Sequence, residues 1–199
     1  GYGGIRKFVD SLPGVSTGGT TGQNDLGQAI PLAVPDTTTY KDADYYVIEL
    51  GQYSEQLHKD LPLTTLRGYH QVNVSDPSLS RYSYLGPLIV AQKDRPVRVK
   101  FINSLPTGAG GNLFLPMDTS VPGTGQGPTG ADYAQNRASM HLHGGNTPWI
   151  SDGTEHQWIT PAGEATEYPK GVSARNVPDM PDPGPGAMTF YYTNQQSAR

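Results

Sequence analysis

The 199-residue chain contains no cysteine. Disulfides, thiolate metal sites and cysteine nucleophiles are thereby excluded within it, although the absence does not fix a compartment. Charged residues are few, at 16% with a net charge of −4, and no block of five or more basic residues occurs. Nucleic acid is not expected as a partner, because neutralising phosphates needs clustered lysine and arginine. No apolar run approaches the roughly 20 residues that span a bilayer, so a membrane is not expected as a partner either. Hydrophobic residues are scarce at 35%, whereas glycine and proline number 25 and 18. That is too many for a helical bundle, and they cluster without a period, which argues against collagen. The chain begins at Gly1 rather than methionine, as expected of a chain that has been processed or trimmed, with any targeting segment gone.

What remains reads as short strands joined by long turns. Tyrosine is frequent, at 12 residues, and accompanies valine and threonine, all strand formers. Residues 1–40 read as an arm, with a short helix expected where Ile5, Phe8, Val9 and Leu12 recur at helical spacing before Pro13. Ser16 to Gly22 reads as a flexible link. Strand patterns follow from there. Tyr45 to Leu50 is rich in β-formers, and Leu88 to Ala91 is a short apolar run. Pro96 to Asn103 alternates, with Val97, Val99 and Phe101 facing one way and Arg98 and Lys100 the other. Ala138 to His143, Gln157 to Thr160 and Met188 to Thr193 complete the set. The expected fold is an all-β antiparallel sandwich or barrel over residues 41–199. Two long turn-rich stretches, Pro106 to Asn136 and Pro161 to Gly186, are expected to be functional or mobile loops.

The chemistry concentrates at Met140-His141-Leu142-His143-Gly144-Gly145. On an extended backbone, residues i and i+2 share a face. His141 and His143 are therefore expected to project together while Met140 and Leu142 face the core. Paired imidazoles suit copper, zinc, iron or nickel, and can chelate one ion or contact two neighbours. Gly144 and Gly145 leave the site uncrowded and permit a sharp turn. A lone histidine is more often structural, and even this pair carries a false-positive risk. Amidohydrolase barrels and cupins also use His-x-His. The barrel typically needs about 250 residues and alternating helices, and the glutamate of the cupin pattern is replaced here by Gly144 to Thr147.

The stretch Met140 to Gly153, MHLHGGNTPWISDG, resembles the first copper-binding motif of multicopper oxidases, in the subgroup of spore-coat laccase and bilirubin oxidase. Further stretches are similar in the same order: Phe8 to Pro13, Gln56 to Pro62, Thr65 to Tyr69, Gly86-Pro87, Asn103 to Pro106, Phe114 to Asp118 and Tyr192 to Gln196. The resemblance implies a Greek-key cupredoxin-like β-sandwich with an N-terminal arm and long loops, the first domain of such an enzyme. It implies that His141 binds the type 2 copper and His143 one of the type 3 pair. It also implies that Asp152 helps deliver protons while dioxygen is reduced to water, a role a carboxylate near water can fill. A turn residue ahead of Gly153 is the plainer account of Asp152. The remaining cluster ligands, and the type 1 copper with its cysteine, are implied to lie outside this chain. The implied partners are a C-terminal multicopper oxidase fragment or chain, dioxygen and a small reducing substrate: a phenol, a bilirubin-like pigment or a metal ion. The implied location is extracytoplasmic: secreted, periplasmic or spore coat. In the family a second His-x-His follows soon after the position of Arg199. The chain is therefore expected to be a truncated piece or one half of a cut enzyme, and an end at Arg199 fits tryptic nicking of an exposed turn.

The other signals are weaker. His58 is expected to be structural or at the surface, and His70 exposed. His156 is a possible outer neighbour of the metal site, though that is the less favoured reading. Asn73-Val74-Ser75 fits a glycosylation sequon. Gly123 to Pro128 lacks the Lys-Ser/Thr of a phosphate loop, and no Gly-x-Ser-x-Gly elbow is present. Asp179 and Asp182 read as turn residues. Two competing functions remain: a stand-alone, non-catalytic copper-binding module using the same histidines, and a mononuclear metal hydrolase.

Overall fold

The structure is a computed structural model, and it describes residues 4–196. The proposed nicking point at Ser197 to Arg199 lies outside the described residues. The fold is all-β as expected, with helix among the described residues confined to two short 3-10 turns, Gly108–Gly111 and Trp149–Ser151. No helix among the described residues is long and apolar enough to cross a membrane. The described residues form six strands: β1 (Val15–Ser16), β2 (Ile30–Pro31), β3 (Asp44–Glu55), β4 (Thr64–Gln71), β5 (Val97–Asn103) and β6 (Ala187–Tyr192). β1 and β2 form a small parallel ladder, and the main sheet has the order β4-β3-β5-β6.

The sheet is mixed rather than purely antiparallel. β3 pairs antiparallel with β4, and β5 with β6, but β3 and β5 run parallel from Asp44↔Val97 to Leu50↔Asn103. The reason is geometric. β4 returns the chain to Gln71, opposite Ile48, so β5 starts near the end where β3 began.

Alternation along the strands fills one face. Tyr46, Ile48 and Leu50 of β3, Val97, Val99 and Phe101 of β5, and Met188, Phe190 and Tyr192 of β6 form the buried core. The second layer is built less from ladders than from extended segments. Ala138 bridges Ile159, which bridges Lys170, and Ile159, Ala174, Met140 and Leu142 close over the sheet. This arrangement is consistent with the expected cupredoxin-like sandwich. Asn103, buried at the end of β5, donates to the carbonyls of Asn136 and Ile159 at 2.8 and 3.0 Å. It thereby fixes where the chain enters the histidine motif.

Several local expectations are corrected. No helix forms over Ile5 to Leu12. Phe8 has φ +58° and is fully exposed, as is most of Leu12, so the apolar spacing finds nothing to pack on. Polar contacts hold the arm instead. Arg6 pairs with Asp60, Lys59 with Asp25 at 2.7 Å, and His58 donates from Nε2 to the Arg6 carbonyl at 2.7 Å while Nδ1 accepts from Asp60 N. Ser16 to Gly22 is not a bare link. It begins in β1 and turns back on itself, with Gly14 N donating to Gly22 O and Gly19 N to Ser78 Oγ. Leu88 makes only an isolated bridge to Leu32. Arg98 faces away from the core, as the alternation predicts, yet is buried. Its guanidinium sits between the Tyr40 and Tyr191 rings and makes a bidentate pair with Asp179 at 2.8 and 2.7 Å.

Candidate metal centre

The histidine motif follows directly on the Ala138 bridge. Ser139 to His143 is not assigned as a strand, which corrects the expected ladder there. The alternation nevertheless holds: Met140 and Leu142 are half-buried against the core, while His141 and His143 are exposed. The two imidazole rings lie side by side, with centroids 6.2 Å apart and planes inclined at 47°.

His141 is oriented by the turn that carries Asp152. Its Nδ1 lies 2.5 Å from the backbone carbonyl of Asp152. A carbonyl only accepts, so the proton sits on Nδ1 and the Nε2 lone pair is left free. This is the tautomer a metal-binding imidazole needs. The Asp152 carboxylate is also close, with Oδ1 3.8 Å from the same Nδ1.

That turn is held from three sides. Trp149–Ser151 forms a 3-10 turn capped by Asp152. Ser151 is buried, and its Oγ accepts from Tyr191 N of β6 at 2.9 Å. Gln157, also buried, accepts from Gly153 N at 2.8 Å and donates to Trp149 O at 2.7 Å. Gly153 has φ +70°, and a Cβ there would fall 1.7 Å from Met140 O. Only glycine lets the turn lie this close to the backbone of the histidine motif.

Three nearby groups were not singled out by sequence reasoning. Gln157 is one. Tyr192 is another: its hydroxyl is buried without a hydrogen-bond partner among the described residues. Burial, and then the charge of Asp152, push that phenol well above its ordinary range. The third is Ser139, whose hydroxyl is similarly unpartnered and lines a cleft of about 270 Å³ beside His141 with Ile48, Tyr69, Pro87, Ile89 and Met140. Alternation alone marks Tyr192 as a core residue, and nothing in the sequence marks its hydroxyl as unpaired.

The remaining histidines lie apart from this pair or do not point to it. His156 is exposed and its Nε2 is 3.4 Å from Glu155. His70, expected to be exposed, is half-buried on the outer face of the sheet between Glu49, Ser80 and Tyr82. Among the described residues no group of three or more histidine, cysteine, aspartate or glutamate side chains is placed to hold a metal ion. His141 and His143 therefore fit copper as part of a donor set, with free imidazole nitrogen supplied by exposed side chains, and not as a complete one.

The relatives of the chain are named laccase and multicopper oxidase. It is 29% identical over 189 residues to a laccase of Bacillus subtilis strain 168, covering 94% of this chain and 29% of the laccase. It is 31% identical over 162 residues to a laccase of Haloferax volcanii, covering 80% of this chain and 23% of the relative. A rice multicopper oxidase, LPR1 homolog 5, is 30% identical over 162 residues, covering 78% of this chain and 20% of the relative. No family model matches the chain. Similarity of this kind across most of the chain, on an all-β fold, makes it a domain of the multicopper oxidase family. It spans less than a third of the length of these relatives.

Proposed function

We propose that the chain is the N-terminal part of a laccase-like multicopper oxidase, and that His141 and His143 supply imidazole ligands to its oxygen-reducing copper cluster, His141 at the type 2 and His143 at a type 3 position. The observation that carries this is the bond from His141 Nδ1 to the Asp152 carbonyl, which frees Nε2 beside the ring of His143. Copper, when bound, would supply the one-electron chemistry that dioxygen reduction requires. The chain's own residues orient and protonate. The Asp152 carbonyl fixes the His141 ring, Met140 and Leu142 anchor the motif in the core, and the Gln157 amide holds the turn. In this reading the half-exposed Asp152 carboxylate, 3.8 Å from His141 Nδ1, passes protons from solvent to the histidine face.

Two donors do not complete a cluster, so the remaining ligands, and the type 1 copper, belong to a C-terminal portion that shares the site. The apolar cleft beside His141 supports this reading, since it gains a covering when more protein packs there. The reducing substrate is a small phenol, pigment or metal ion oxidised in that other portion, and an extracytoplasmic location accords with the reading. A stand-alone copper-binding module would use the same histidines without turnover.

The test is to replace His141 by alanine in the complete enzyme. Copper per molecule should fall, the nitrogen hyperfine couplings of the type 2 signal should change, and oxygen consumption should drop by about a hundredfold or more. Unchanged copper content and unchanged turnover would show the residue misassigned.

A further inference from the structure

A second cluster of reactive side chains lies on the outer face of the β3–β4 pair. Glu49 and His70 are cross-strand partners, and so are the next residues along that face, Gly51 and Gly68. Neither glycine has room for a side chain. A Cβ on Gly51 would lie 2.4 Å from the Tyr82 hydroxyl, and one on Gly68 would lie 2.5 Å from Ser83 O and 2.9 Å from the Tyr53 ring. The glycine pair is a floor for two tyrosine rings, which stack with centroids 5.7 Å apart and planes 16° apart.

Each phenol ends on a carboxylate of its own. Tyr82 donates to Glu49 Oε1 at 2.6 Å, and Tyr53 donates to Glu55 Oε2 at 3.2 Å. His70 closes the other side of Tyr82, with ring centroids 4.1 Å apart. Its Nε2 is 3.3 Å from Glu49 Oε1 and its Nδ1 3.1 Å from Ser80 Oγ.

A phenol that loses an electron becomes a strong acid, so its oxidation is easiest where a base already accepts its hydrogen bond. Tyr82 has that base. Burial first, and then the bond to Glu49, hold its phenol well above the ordinary range. The proton therefore stays in place near neutrality until an electron leaves.

We infer that Tyr82, with Glu49 as its proton acceptor and Tyr53 as its stacked neighbour, is a redox-active tyrosine that yields one electron to a strong metal-complex oxidant. One electron passes from the Tyr82 ring to the oxidant, whose metal falls by one oxidation state. The phenolic O–H bond breaks, the proton moves to Glu49 Oε1, and Tyr82 is left as a neutral phenoxyl radical. Tyr53 can refill it. One electron passes from Tyr53 to Tyr82, the Tyr53 proton goes to Glu55, and Tyr82 recovers its proton from Glu49. The inference does not rest on the copper reading, because its probe is an external oxidant.

The experiment oxidises the purified protein with ruthenium(III) tris-bipyridine, generated by flashing the ruthenium(II) complex with persulfate, and records the electron paramagnetic resonance spectrum after freezing. The expected species is a neutral tyrosyl radical whose largest g-value is lowered by a hydrogen bond. Tyr82→Phe keeps the ring over Gly51 and removes only the hydroxyl, so the fold is retained and this species should disappear. Glu49→Gln should slow its formation by about a hundredfold, the usual scale for losing a positioned base, and abolish the solvent deuterium effect on the rate. Tyr53→Phe should leave the species in place and lengthen its life. Tyr40→Phe, outside the strands and packed on Arg98, should change nothing. An unaltered spectrum in Tyr82→Phe, an unaltered rate in Glu49→Gln, or no tyrosyl signal in the unmodified protein would overturn the inference.

Discussion

Replacing Gly153 by alanine tests whether the Asp152 turn is seated on the histidine motif as closely as the structure places it. Two costs combine. The left-handed backbone at φ +70° costs an alanine about 1–2 kcal/mol. The new methyl carbon would also fall 1.7 Å from Met140 O, inside covalent-contact range, so the turn must move by more than an ångström. Forced repacking of that kind costs about 1–3 kcal/mol. The sum, about 3 kcal/mol, is a large share of the 5–15 kcal/mol that holds a typical domain folded. With a urea slope of about 2 kcal/mol/M, the unfolding midpoint should fall by about 1.5 M. Gly163→Ala is the matched control. Its φ is +81°, but nothing lies within 4 Å of the added carbon, so only the dihedral cost of about 1 kcal/mol applies. Urea titration of both variants followed by circular dichroism measures the difference. The nitrogen-15 shifts of the His141 ring report whether Nδ1 keeps its proton once the carbonyl has moved. Equal midpoints for the two variants, with an unchanged His141 tautomer, would refute the reasoning.

Gln157→Ala should cost about 1–3 kcal/mol, because it removes the side-chain acceptor of Gly153 N and Thr154 N and a donor to Trp149 O, and it should loosen the Asp152 turn, visible as faster amide exchange at Gly153. Phe190→Ala removes a ring with no exposed surface and should cost about 3–5 kcal/mol in denaturant unfolding. Arg98 holds the Asp179 carboxyl below its usual range. The contribution of that pair is therefore present above the unfolded carboxyl value, near about pH 4, and is lost as pH falls through the lowered folded value. Because Asp179 is largely exposed, the effect should stay under about 1 kcal/mol, and the acid limb of the unfolding midpoint should flatten in Asp179→Asn.

Much of the fold was legible because alternation is a local signal. Tyr45 to Leu50, Pro96 to Asn103 and Met188 to Thr193 fall within or next to β3, β5 and β6, and their inward residues are the core. Alternation states which face a residue shows, not whether a neighbouring strand exists. Hence Ala138 to His143 has the predicted faces without the predicted ladder, and Arg98 faces outward yet is buried by Tyr40, Tyr191 and Asp179. The helix expected over Ile5 to Leu12 failed for a related reason: its spacing was apolar on one side, but the partners of the arm are the polar atoms of His58, Lys59 and Asp60. At the metal centre, the histidine pair is readable from residue type and spacing alone. The Gln157 clamp and the Tyr192 hydroxyl depend on contacts across the fold, and so does the pairing of Glu49 with His70, which the register of β3 on β4 decides.

Because Ser139 to His143 has no ladder to index it, the phase of this segment rests on Met140 and Leu142 sitting in the core, with Asn103 gripping Asn136 O just upstream. Dropping or adding one residue between Asn136 and Met140 would exchange the two sides. The imidazoles would turn toward the apolar core, and methionine and leucine would face water. The length of that three-residue tether thus decides which side of the segment a metal ion meets.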